Sequence, residues 1–510
     1  MTETLLDTAI ETAVSEASAA SEPATETLAV EAQDVLDTAA WAVAQWGTVD
    51  LGDARLTRRA VMMGTAMAAH PSHSLPHQFG DPAALKAAYN LLNHPGVTLE
   101  QLAAPHWQHT RQAAQGAPVV LLVQDTTEVD CAHRPTMRGV GPLGNGRGRG
   151  LLLHTTLAII PQTPARVLGV ADQQVLRREP APQPRPRYSE SLEGQVWARA
   201  AAAVGQPPAG VCWVHVGDRG SDDFRFMHET RQQGKHFLIR LHRNRLLDWE
   251  AEDEVAPQMR KVLDYARSLP SQVSYTLQVP ARHGQPARTA QMRLAWAPVT
   301  IPPPAQSPAD LRQQPPIQAW VVRTWEVAAP PEVTEPLEWV LLTSVPVYTA
   351  EEALERVVWY TFRWLVEDYH QCLKTGCAIE KRQFDHGDDL ARLLGFCGPI
   401  AVRLLQMRQQ ARTYPTQPAV TVMDPLWVQI LNARLGEPPE RPLTMADFWR
   451  GVAQLGGHQG RPRDGEPGWK TIWRGWQYLS DLVLGAHLYA TSHACSLGNN
   501  PDALQMARAP

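Results

Sequence analysis

Apolar and polar positions change rhythm several times along the 510 residues. APVVLLVQDTTEVD (117–130) is a continuous apolar run and predicts a buried strand that ends at Asp125. GVCWVHVGDRGSDDF (210–224) predicts a second strand that ends at Asp218 before a helix. Between them, LLLHTTLAII (151–160) and ARVLGVADQQVL (165–176) predict strands joined by short turns, followed by a helix over 193–204. A helix over 221–234 and a strand over 236–242 come next. QVSYTLQV (272–279) and TAQMRLAW (289–296) alternate around RHG, a hairpin pattern, and 300–316 is a Pro-rich, semi-rigid loop. Strands resume at 317–327 and 338–344. Helical periodicity dominates 39–115 and 377–488.

The clearest helix signal opens at Thr349, where Thr349 and Glu352 form a capping box. No Gly or Pro follows for about seven turns, until Gly376 offers a left-handed stop. On one uninterrupted helix, Tyr360, Arg363, Glu367 and Lys374 fall at roughly 0°, 300°, 340° and 320°, so they share an arc of about 60°. Such a face can hold a metal and a phosphate together, or be no more than a solvated charged face. Asp125 and Asp218 are equally open: acids at strand ends line sites, and they also make turns and caps, as Ser221 or Asp222 would before the next helix. Three meandering strands followed by alternating helix and strand is the ribonuclease-H-like layout. In that layout the first and fourth strands lie side by side, bringing Asp125 next to Asp218.

Charge alters this picture once it is resolved by region. The formal net charge is −5, yet residues 1–54 hold eleven acids and no Lys or Arg. Removing them from the 52 acids leaves 41 against 47 basic residues, a balance of +6 from Arg55 onward. Residues 1–38 read as an acidic, disordered tail without the features of a signal peptide. Arg134, Arg138, Arg147 and Arg149 in a Gly-rich stretch, and four arginines in 177–187, suit contacts with a phosphate backbone or serve as solubilising loops. The six cysteines show no paired zinc spacing and read as buried or incidental thiols, in keeping with a reducing cytoplasm. No run of 18 apolar residues occurs, so no membrane partner is expected.

QDTTEVD, VGDRGSDD, EWVLLTSVPV and the spacing Y-x2-R-x3-E-x6-K together resemble the DDE transposases of the bacterial insertion-sequence family "IS-four", above all the Tn-five (IS-fifty) group. The likeness extends to 46–61 and to 426–485, and so spans roughly 41–488. The fold it implies is α/β: a ribonuclease-H-like catalytic core over 116–376 with a β-rich insertion at about 245–345. A helical DNA-end-binding domain over 39–115 and a helical dimerisation domain over 377–488 flank it, and 489–510 form a tail.

The resemblance also implies a chemistry. Cut-and-paste transposition needs phosphodiester cleavage and strand transfer, which two divalent metals held by carboxylates promote. Asp125 is expected to bridge two Mg2+ ions, with Mn2+ able to substitute, and Asp218 and Glu367 each to complete one shell. Arg363, Lys374, Tyr360 and Arg240 are expected at phosphates, Trp339 at a flipped base, and Trp364 as a second stacking surface. Arg58, Arg59, Lys86 and Tyr89 are expected to bind the end. The implied partners are double-stranded DNA, as inverted-repeat ends and target, and a second copy of the chain once DNA is bound, paired through Trp469, Trp473, Trp476 and Val483. A bacterial cytoplasmic, nucleoid-associated setting follows. Two other readings are a catalytically silent DNA-binding relative and a host repair or junction nuclease.

Overall fold

A computed structural model describes residues 38–144, 148–179, 192–249, 260–279, 287–331, 333, 335–461, 464 and 467–498, with the backbone alone at 192–193, 410–413, 469–470 and 491–498. The expected acidic tail, Arg147 and the RHG turn lie outside the described residues. The chain divides into two compact units. One gathers 92–370 and 379–402, the other the segments up to Leu91, 371–378 and 403 onward.

In the first unit, ten described strands build one mixed sheet. They are β1 (Val119–Asp130), β2 (Gly141–Leu143), β3 (Gly148–Ile160), β4 (Arg166–Leu176), β5 (Cys212–Gly217), β6 (His236–Arg240), β7 (Val273–Val279), β8 (Arg288–Ile301), β9 (Ile317–Val327) and β10 (Glu338–Thr343). Their order is β2-β3-β1-β5-β6-β10-β9-β8-β7, and β4 pairs with β3. β1 runs antiparallel to β3 and parallel to β5, and β5 runs parallel to β6. β7, β8 and β9, from the 245–345 stretch, extend this same sheet through β10, which pairs with β6.

The continuous apolar run of β1 reflects burial on both faces. Val120, Leu121, Leu122 and Val123 are all fully buried. Val120 and Leu122 pack with Ala158, Ala171 and Trp213, while a larger core joins Trp197, Phe224, Phe226, Phe237 and Ile239 beneath the helices Leu192–Ala203 and Phe224–Gln232. The helix expected from 221 begins at Phe224, because Asp223 accepts the backbone N–H groups of Arg225 and Phe226. Asp222 is buried instead, paired with Arg245 at 2.6 Å and accepting the backbone N–H groups of His242 and Arg243.

Two expectations about element ends are corrected. β1 continues past Asp125 to Asp130, because its ladder with β3 persists to Asp130↔Gly150, although the ladder with β5 stops at Val123↔Val216. The helix from Thr349 is also not continuous. Its capping box forms as expected, yet it breaks at Phe362 and Arg363 into Ala350–Thr361 and Trp364–Gln371, then widens into a π-turn at Cys372–Gly376. The left-handed residue that follows is Ala378, at φ 51°, not Gly376. The helical-wheel argument for Lys374 therefore fails, since its angles assume 3.6 residues per turn throughout.

The second unit is helical. Helix Ala54–Ala69 is capped by Asp53, and Asp81 caps Pro82–Leu92 through the N–H of Ala84 at 2.8 Å. Gly64 permits close packing here: a Cβ would lie 2.2 Å from the ring of buried Trp46. Further along, Trp476 of helix Trp469–Gly498 stacks between Trp427 of Pro425–Leu435 and Trp449 of Met445–Leu455, at 4.5 and 5.4 Å between ring centres. Trp473, Trp476 and Val483 are thus interior to their own unit, which corrects their assignment to a surface between two copies. Trp469 is described by its backbone alone.

One stretch, Gly387–Gln409, is long and apolar enough to cross a membrane by length and composition. It is 83% buried inside the protein, as a core helix is. All five described cysteines are free thiols, four of them buried.

Candidate functional site

Asp125 and Asp218 stand at matching positions, each two residues beyond Val123↔Val216, the last pair of the β1–β5 ladder. Parallel strands in register thus bring these two backbone positions to matching places on neighbouring strands. The side chain of Asp125 is 20% exposed. Burial pushes its carboxyl upward, but the neighbouring His370 and Arg363 outweigh that and hold it below the usual carboxylate range. Asp218 accepts the N–H of Gly220 at 2.8 Å and so also caps the short turn Arg219–Ser221.

Glu367 joins them electrostatically. Burial raises its carboxyl above the ordinary range, Arg363 opposes this, and Asp125 and Asp218 push it further up. Glu367 therefore senses both of the other acids. As they stand, each is held by a protein partner: Arg363 Nη1 donates to Glu367 Oε1 at 2.7 Å across the break between the two helices. Among the described residues, no group of three or more His, Cys, Asp or Glu side chains is gathered so as to hold a metal ion.

Arg363 is buried, with its guanidinium 5.0 Å from the centre of the Trp364 ring and 5.9 Å from that of Tyr360. Trp364 is half-buried. Tyr360 and Trp339 are interior, their rings edge-to-face at 5.0 Å, and Trp339 is only 1% exposed. That burial corrects the expectation of an open aromatic platform: Trp339 pairs with Thr324 in the middle of the sheet and points into the core. Arg240, at the end of β6, is buried and donates to the carbonyl oxygen of Glu338 at 3.2 Å. Lys374 lies half-buried in the π-turn, within the segment that belongs to the second unit.

Of the arginine-rich stretches, Arg147, Arg185 and Arg187 lie outside the described residues, Arg138 is exposed, and three of the partly buried arginines are held by protein partners. Arg149 donates to the carbonyl of Met137 at 2.7 Å, Arg178 pairs with Glu128 at 3.3 Å, and Arg177 pairs with Asp388. In the second unit, by contrast, Arg58 and Lys86 are exposed and Arg59 and Tyr89 half-buried, on the helices Ala54–Ala69 and Pro82–Leu92. Among the described residues neither Arg58 nor Lys86 makes an ion pair, whereas Arg55 is engaged by Asp53 at 2.8 Å.

Residues 38–97 match the family described as transposase DNA-binding. That match supports a transposase, and DNA as its partner. It covers the helices that carry Arg58, Arg59, Lys86 and Tyr89.

The residue that sequence reasoning passed over is His370. It is buried, its Nδ1 lies 3.6 Å from Asp125 Oδ2, and its Nε2 lies 3.2 Å from Thr155 Oγ1. A signal was available: Glu367-x-x-His370 places both side chains on one helix face.

Proposed function

We propose that this chain is a DDE transposase of the cut-and-paste type, with Asp125, Asp218 and Glu367 as its catalytic carboxylates on a ribonuclease-H-like core. The observation that carries this reading is that the parallel neighbours β1 and β5 hold Asp125 and Asp218 each two residues beyond their last paired residues, with Glu367 feeling the charge of both. The strand order β4-β3-β1-β5-β6 and the transposase DNA-binding match at 38–97 support it.

The donor set suits hard divalent cations. It offers three carboxylates and no thiolate, and the mutual repulsion on Glu367 is what a bound cation relieves. Mg2+, or Mn2+ in its place, supplies an activated hydroxyl and stabilises the leaving oxygen. Asp125 would hold both ions, and Asp218 and Glu367 one each. Holding an ion requires Glu367 to release Arg363, whose planar guanidinium then has a phosphate oxygen as its natural partner. Tyr360, Arg240 and Lys374 are proposed to contact the same DNA backbone, and Trp364 to stack.

The reaction proceeds by displacement at phosphorus. Water attacks at the transposon end and the 3′ oxygen leaves with a proton. That 3′-hydroxyl attacks the opposite strand and closes a hairpin; a second water opens it; the freed 3′-ends attack target DNA. Each step exchanges one P–O bond for another. Trp339 receives a displaced base only if its contact with Tyr360 opens, so hairpin closure should be the step most sensitive to Trp339→Ala. Two copies are proposed to bring two ends together, through a surface other than the buried Trp473 and Trp476.

A DNA-binding relative that does not cut is the second reading, favoured by carboxylates that are not gathered around a metal position. A nicking assay on the inverted repeats flanking the gene, with Mg2+ or Mn2+, separates the two. Wild type should nick, and Asp125→Ala, Asp218→Ala and Glu367→Ala should each fall below about one hundredth of that rate while still binding ends. Wild-type binding without nicking would sink the enzymatic reading.

A further inference from the structure

Asp125 on β1, Thr155 on β3 and Gln173 on β4 stand in one register row, Asp125↔Thr155 and Thr155↔Gln173. Partners in register share a face of the sheet. Thr155 and Gln173 are buried, and the helix Trp364–Gln371 closes over the row with two consecutive residues, Tyr369 and His370. Gln173 Nε2 donates to Thr155 Oγ1 at 3.1 Å and to the hydroxyl oxygen of Tyr369 at 3.0 Å.

The acceptors narrow the direction. An ionised carboxylate only accepts, so Nδ1, the nitrogen that faces Asp125 Oδ2 at 3.6 Å, is the one placed to carry the imidazole proton. Thr155 Oγ1 accepts from Gln173 and keeps a proton of its own, and His370 Nε2, 3.2 Å away, is an acceptor within its reach.

We propose that His370 is a positioning residue: the row Gln173, Thr155, His370 locks its imidazole as the Nδ1–H tautomer, which holds the Asp125 carboxylate in the orientation a divalent cation requires. This rests on the transposase reading for the cation, while the tautomer itself does not. Buried imidazoles whose second nitrogen is fixed by a neighbour commonly orient a metal site in this way. Here the imidazole would act on the carboxylate rather than on the ion.

Nitrogen-15 NMR of histidine-labelled, metal-free full-length protein reads the tautomer directly, with the His370 signal identified by its loss in His370→Asn. Recorded at a pH where the imidazole is neutral, the Nδ1–H form is expected, and an Nε2–H form overturns the proposal. Two further variants dissect the contacts. Asn places a donor near the position of Nδ1 and Gln one near that of Nε2, so His370→Asn keeps the Asp125 contact and His370→Gln loses it. Calorimetric titration with Mn2+ should find His370→Asn near wild type and His370→Gln weaker by roughly tenfold or more. Equal Mn2+ affinity in the two variants, with melting temperatures alike, overturns it as well. If wild type binds no Mn2+ and nicks no DNA, the transposase reading fails, and with it the role given to His370, whereas the NMR result still decides the tautomer.

Discussion

Asp172 shows most plainly how burial sets the behaviour of a single side chain in this protein. It sits on β4, almost wholly buried, with Gln174 donating to it at 3.0 Å and the Arg111 guanidinium forming a looser ion pair at 3.8 Å. Burial lifts its carboxyl to about 6, against the opposing pull of Gln174 and Arg111. The folded pKa is raised, so the protein is favoured at acid pH, and that advantage is lost as pH rises through about 6. Two pH units correspond to roughly 3 kcal/mol. Asp172→Asn should therefore raise the melting temperature relative to wild type at pH 7.5, with the gap closing by pH 4. A gap that does not vary with pH would mean that Asp172 has the same pKa in the folded and unfolded chain.

At the scale of elements, the tryptophan stack makes the sharpest claim. Trp476 lies between Trp427 and Trp449, so Trp476→Ala removes the buried central ring of a stacked trio and should cost about 3–5 kcal/mol. Denaturant unfolding would check this; a loss under 1 kcal/mol would return the stripe to a surface role. The same example marks how far the sequence could be read. Trp473, Trp476 and Val483 were legible as an apolar stripe, but which partner covers a stripe is decided by other helices, and periodicity carries no trace of them. The adjacency of β1 and β5 was legible, because both are apolar runs, but the end of β1 was not, since its pairing with β3 carries it past Asp125 to Asp130. The break at Phe362 and Arg363 was not legible either. The stretch around it has good helix formers and no Gly or Pro, so local propensity is silent there and tertiary packing of buried Tyr360, Phe362 and Arg363 overrides it. Trp339 was misplaced for a related reason: a tryptophan opening a strand reads alike whether it faces solvent or core.

For the whole molecule, charge is divided by region, and the exposed cations Arg58 and Lys86 lie within the matched DNA-binding stretch. Replacing either with Ala in the full-length protein should weaken binding to end DNA and reduce the salt dependence of the logarithmic affinity by about one. An unchanged slope, measured by fluorescence anisotropy between low and moderate salt, would remove that residue from the interface. The strand order carries a consequence of its own. After β1 the chain turns to β3 on one side, and after β5 it turns to β6 on the other, so β1 and β5 mark the topological switch point of the sheet. Loops leaving two parallel strands in opposite directions part and leave a crevice at their carboxyl ends. Asp125 and Asp218 thus owe their place at this switch point to connectivity. Evolution could exchange those acids for other chemistry and still inherit a place for a ligand.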